Sequence, residues 1–155
     1  MEAPMNIVLI LASFFACAGY CIVTNLKGKT IFYASLGGVI GFCAFELFRF
    51  TNNDIVQYFI ATIVIEIYAE IMARVMKQPV TVYLIVALLP LVPGGGLYYT
   101  MEYGINGDIA MFIKEGLHTL FIAGSLVGGI IVVASIVRLM DKIIHHKKVI
   151  MNQKI

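Results

Sequence analysis

Charge is scarce in this sequence. Of 155 residues, 11 are Lys or Arg and 9 are Asp or Glu, and 61% are hydrophobic. Soluble domains carry about a quarter charged residues. With a mean hydropathy of +0.94, the composition excludes an ordinary water-soluble fold and points to an integral membrane protein of one domain. No basic patch with interleaved aromatics occurs, which argues against nucleic acid as a partner. Cysteine is sparse too. Cys17, Cys21 and Cys43 lie in apolar runs without a CxxC or a Cys/His cluster. No metal site is expected, and the three read as small buried hydrophobes. No Ser or Cys stands beside a base, which disfavours an intramembrane enzyme, and no cofactor is called for. The N-terminus lacks a basic leader, Glu2 being its only charge. Its apolar run of about 20 residues has no clear cleavage site, so it reads as a retained spanning helix. No internal repeat is visible.

What the chain does have is long apolar runs. About 20 residues suffice to cross a bilayer. The expectation is an all-α membrane protein with five transmembrane helices, at about Met5–Thr24, Thr30–Phe50, Ile55–Met76, Val80–Tyr103 and Ile109–Met140, followed by a basic tail from Asp141 to Ile155. Pro4 suits a first helical turn. Lys27-Gly28-Lys29, Thr51-Asn52-Asn53-Asp54, Pro79 and Asn106-Gly107-Asp108 punctuate the runs, and Asp108 is a natural N-cap. The last run is longer than a bilayer needs, so it should tilt or project into water. Gly37 and Gly41, four apart, and the small residues Ala123, Gly124, Gly128 and Gly129 should let helices approach closely.

Five spans put the termini on opposite sides. With the tail in the cytoplasm, Lys27, Lys29, Arg74, Lys77, Arg138, Lys142, Lys147, Lys148 and Lys154 fall at or near that side, and Arg49 and Lys114 fall on the other. That bias predicts an N-out, C-in topology. A four-span alternative would scatter loop charges over both faces.

The fourth run carries Pro90, Pro93 and the triplet Gly94-Gly95-Gly96. Proline removes a backbone donor and glycine permits unusual φ, so the helix should break near 93–96. Inside a bilayer such a break needs protein or a water-lined cavity around it, and transporters use such breaks to hold substrate. The plain alternative is a turn at the membrane surface. The triplet is no phosphate loop, since no Lys-Ser/Thr follows it. Tyr98, Tyr99 and Tyr103 can line a cavity with their hydroxyls or sit as interfacial aromatics.

Glu66, Glu70 and Arg74 are spaced i, i+4, i+8 and share one helical face. An intramembrane carboxyl is a functional candidate by default. Glu66 is expected roughly 15 Å above the cytoplasmic end of its helix, and Pro93 roughly 18 Å above that of the next, so the two should lie at similar depth. Glu66 is the first candidate for proton coupling. Its alternative is a hydrogen bond to a neighbouring helix, and that of Glu70 is an ion pair with Arg74. Glu46 and Arg49 read as an interfacial ion pair. Lys114 and His118 share a face with Glu115 between them, either as the mouth of a polar pathway or as a snorkelling lysine beside a satisfied histidine. His145 and His146 belong to the basic, lipid-facing tail.

The run Ala69-Glu70-Ile71-Met72-Ala73-Arg74, then Lys77-Gln78-Pro79, Pro90-Leu91-Val92-Pro93-Gly94-Gly95-Gly96, Tyr98, Tyr99, Met101 and Asn106-Gly107-Asp108 resembles the threonine/serine exporter family. More narrowly it is similar to the small stand-alone subunit corresponding to that family's C-terminal half. The resemblance covers nearly the whole chain, and its specific part is Pro-x-x-Pro-Gly-Gly-Gly with the downstream Gly-Asp. It implies a multi-pass protein of the bacterial plasma membrane that exports small hydrophilic metabolites in exchange for protons. Threonine and serine are the named substrates, with succinate or related dicarboxylates in some two-subunit members. It also implies a companion membrane subunit like the N-terminal half. On this reading Pro93, Gly94, Gly95, Gly96, Tyr98 and Tyr99 hold substrate, while Glu66 and Glu70 handle the proton. The competing reading is a membrane scaffold or assembly subunit whose partner holds the transport site.

Overall fold

The computed structural model describes residues 7–51 and 53–152, with side chains up to Ile143. Pro4 and Met5, Asn52, the side chains of His145 and His146, and the end of the tail lie outside the described residues. Among the described residues six α-helices follow one another: α1 (Ile7–Val23), α2 (Lys29–Leu47), α3 (Asp54–Met76), α4 (Val80–Leu88), α5 (Gly94–Ile105) and α6 (Ile109–Asn152), with 3₁₀ turns at Phe48–Thr51 and Leu89–Leu91. Three of the described stretches are long and apolar enough to cross a membrane: Lys29–Thr51, Asp54–Met76 and Ile109–Ile143. The pair Val80–Leu91 and Gly94–Ile105, bent by 55°, makes a fourth if it is one span, and α1 adds a shorter apolar helix.

The helix ends follow local chemistry. Asn53 caps α3, its Oδ1 accepting from the N–H groups of Ile55 (3.1 Å) and Val56 (3.4 Å). Lys77 closes α3 in the left-handed region (φ 54°), and Pro79 then starts α4. Asp108 caps α6 as expected, accepting from Met111 N–H at 3.1 Å.

α2 packs on α1, α3 and α4, α3 also packs on α4 and α6, and α5 packs on α6. Glycine makes the α2 contacts possible. A Cβ at Gly37 would lie 2.9 Å from the Tyr68 ring and 3.0 Å from Ala87, while one at Gly38 or Gly41 would collide with Cys17 or Ile65. Two buried clusters result, one around Cys17, Cys21, Tyr83 and Val86, the other around Ala61, Ile65, Ala87 and Leu91.

Contacts along α3 and α6 show that the two run parallel. Asp54 faces His118 (3.9 Å), a Cβ on Gly129 would meet Thr62 (2.9 Å), and Arg74 reaches Asp141 (3.2 Å). α5 is antiparallel to α6, with Gly96 on Thr119, Gly116 by Thr100 and Gly104 by Phe112. Since α3 and α6 start at one end of the bundle and leave at the other, α4 and α5 together bring the chain back along its length.

The break differs in detail from the expectation. α4 ends at Leu88, tightens into the 3₁₀ turn, and breaks at Val92–Pro93. The three glycines are the first turn of α5 and not part of the break, and the helix runs to Ile105, two residues past the expected end at Tyr103. The prolines do the breaking. Pro90 has no N–H for the carbonyl of Val86, and that oxygen instead accepts from the Leu89 N–H and from the Cys17 thiol at 3.3 Å. Pro93 likewise leaves the Leu89 carbonyl to Val92 N–H (3.4 Å). Cys17 is therefore a hydrogen-bond donor as well as a buried hydrophobe, and Cys43 is only partly buried.

Candidate functional site

Among the described residues Glu66 is the enclosed acid. It is 2% exposed, and its Oε2 has no hydrogen-bond partner among them. One turn earlier, Thr62 packs on Gly129 of α6, its hydroxyl already donating to the Tyr58 carbonyl (2.7 Å). The preceding residue, Ile65, packs into the space at Gly41 of α2. The carboxyl thus sits on the α3 face that helical geometry turns toward α6. A buried acceptor left without a partner costs about 1–3 kcal/mol. The expected alternative, a hydrogen bond to a neighbouring helix, is not made by Oε2.

Glu70, one turn on, lies 3.6 Å from Arg74 Nη2, and Asp141 of α6 approaches the same nitrogen through Oδ2 (3.2 Å) and Oδ1 (3.3 Å). The i, i+4 ion pair read from sequence is present, but Arg74 has a second and closer acid that no local spacing could reveal. Glu46 and Arg49 form their pair at 3.4 Å. His118 lies near Asp54, both largely exposed, and Lys114 is exposed as well.

At the break, Gly94 N–H donates to the Val92 carbonyl (2.7 Å) and Leu97 N–H to that of Pro93 (3.1 Å). No described side chain caps α5. Among the described residues the N–H groups of Gly95 and Gly96 have no backbone acceptor. A Cβ on Gly94 or Gly95 would meet nothing within 4 Å. Tyr98 and Tyr99 are 64% and 52% exposed, their rings edge-on at 5.4 Å. The break, the first turn of α5 and its tyrosines therefore form an uncovered face of this chain.

The structure separates this face from Glu66. Ala87, against Gly37 and Gly41 and beside Ile65 and Tyr68, is the α4 residue level with Glu66. Pro93 lies six residues further, about 9 Å along the axis at a helical rise of about 1.5 Å per residue. The expected equal depth is thereby corrected. The tight turn through Lys77 and Pro79 restarts the chain alongside the last turn of α3, so α4 reaches the level of Glu66 sooner than a count from the helix ends suggests. Sequence reasoning also missed the Cys17–Val86 bond. Its signal is the position four residues before Pro90, where a carbonyl must look for another donor.

The bundle thus carries an enclosed carboxyl on α3 and, apart from it, an open half-helix that glycines begin. Neither the curated proteins nor the solved structures give a match to this chain. The family model described as Threonine/Serine exporter, ThrE, matches residues 9–136. That match runs from α1 through most of α6, and the chain belongs to this exporter family.

Proposed function

We propose that the chain is one half of a proton-coupled exporter of small hydrophilic metabolites, threonine and serine or a small dicarboxylate, in the bacterial plasma membrane. The observation that carries this is Glu66, a fully enclosed acid with an oxygen lacking a partner, in a member of an exporter family. Such a group can hold a proton in one state and pass it on in another. The return of the chain through α4 and α5 supports counting them as one span, hence five spans, and the Lys/Arg bias supports N-out, C-in. The uncovered face at Gly94, Gly95, Tyr98 and Tyr99 supports a companion subunit, because a solute site there is incomplete without a second wall. The N–H groups of Gly95 and Gly96, at the positive end of α5, suit a substrate carboxylate. Glu70, engaged with Arg74, serves as the next acceptor along the face.

The test is efflux of labelled threonine, serine and succinate from vesicles under an imposed pH gradient, with this chain alone and with a companion subunit. Glu66→Gln abolishes gradient-driven efflux while insertion is retained. Undiminished coupled efflux in that variant overturns the role of Glu66. If variants at Gly94 and Glu66 change complex assembly and leave efflux and selectivity unchanged, the chain is a scaffold and the partner holds the site.

A further inference from the structure

Between α3 and α6 runs an open groove of about 140 Å³. Its walls are Ile67 and Ile71 on one helix and Val133 and Val137 on the other, and its end is polar, with Glu70, Arg74 and Asp141. The polar end lies at the last turn of α3, and Ile67 lies seven residues before Arg74, about 10 Å inward. Apolar walls leading to a charged rim at the end of two membrane-spanning helices follow the profile of one lipid, tail inward and headgroup at the interface.

The charges refine this. One cation faces two carboxylates, so the rim is net acidic and disfavours an anionic headgroup. Nearby Arg138 and Lys142 do not line the groove. Both carboxylates approach the same guanidinium nitrogen, Nη2, so among the described residues Nε and Nη1 remain without an acceptor. Arginine presents five N–H donors in a rigid fork that suits phosphate. Arg74 and Asp141 are 56% and 60% exposed and Glu70 18%, which leaves the cluster open on the groove side.

We propose that this groove binds a zwitterionic aminophospholipid, with its phosphate on Nε and Nη1 of Arg74, its ammonium between Glu70 and Asp141, and an acyl chain along the Ile67–Val137 walls. The same head chemistry, an anion beside an ammonium, belongs to a free amino acid. The apolar walls, with Ile67 and Ile71 half exposed, assign the site to the lipid. A primary ammonium donates hydrogen bonds to both carboxylates and a choline group cannot, so phosphatidylethanolamine is preferred over phosphatidylcholine. This proposal does not depend on Glu66, and it takes Glu70 in its charged form, as it stands beside Arg74.

The test is lipid retention on the purified full chain from mixed bilayers of dioleoyl phosphatidylethanolamine, phosphatidylcholine and phosphatidylglycerol, read by native mass spectrometry. One phosphatidylethanolamine is retained per chain, with about tenfold preference over either other lipid. The Glu70→Gln, Asp141→Asn double variant loses the preference over phosphatidylcholine. Val137→Phe keeps every charge, fills the groove and lowers retention of all three lipids. Equal retention of the three lipids by the unaltered chain overturns the proposal. So does an undiminished preference in folded double variant, or displacement of the lipid by millimolar L-threonine, which assigns the cluster to a free amino acid.

Discussion

Gly96 of α5 rests directly on Thr119 of α6, and a side chain at position 96 would occupy the space of the threonine hydroxyl. That hydroxyl is held in place by donation to the Glu115 carbonyl at 2.8 Å. The contact fixes where the broken half-helix sits, because α5 has no other substantial packing partner among the described residues.

Gly96→Ala is expected to destabilise the protein by about 1–3 kcal/mol, the range for overpacking a tight contact. Thr119→Ala in the same chain relieves it. Gly94→Ala and Gly95→Ala face open space and leave thermal stability in detergent unchanged. Equal losses at all three glycines would show that backbone freedom, and not the Thr119 contact, sets the requirement.

Cys17 carries a second expectation. Replacing it with alanine removes a donor to Val86 O and costs about 0.5–1.5 kcal/mol for the hydrogen bond, in addition to the lost packing. Serine restores a donor and recovers part of that loss. Pro90→Ala supplies an N–H for the same carbonyl, so in that background Cys17→Ala costs less. A double-mutant cycle on thermal unfolding measures the coupling, and strict additivity would disprove it.

The parallel course of α3 and α6 predicts a cross-linking pattern. In a chain whose three native cysteines are replaced, cysteines at positions 54 and 118 are joined by a short bifunctional maleimide, which spans the gap left by the longer native side chains, as are cysteines at 74 and 141. Cysteines at 54 and 141 are not. A 54–141 bridge would mean that α4 and α5 fail to carry the chain back along the bundle.

The Glu46–Arg49 pair, at 3.4 Å with Arg49 67% exposed, is expected to matter little. Exposed pairs contribute roughly 0–1 kcal/mol. Arg49→Gln should leave the unfolding temperature nearly unaltered, whereas loss of folded protein would point to a role beyond this pair.

Membrane class, helix punctuation and the existence of the break are legible in the sequence, because hydropathy, capping and the missing proline N–H act along a few neighbouring residues. Asn53, Pro79 and Asp108 bound their helices for that reason. The sequence also marked Glu66 as costly and therefore informative. Tertiary structure alone decided what each of these features touches. It put the glycines inside α5, gave Arg74 a second acid 67 residues away, handed the Val86 carbonyl to a thiol 69 residues upstream, and set the break about two turns from the level of Glu66. Those outcomes depend on which helix surfaces interlock, at Gly37, Gly41, Gly96 and Gly129, and interlocking is a property of two surfaces that no single stretch of chain contains.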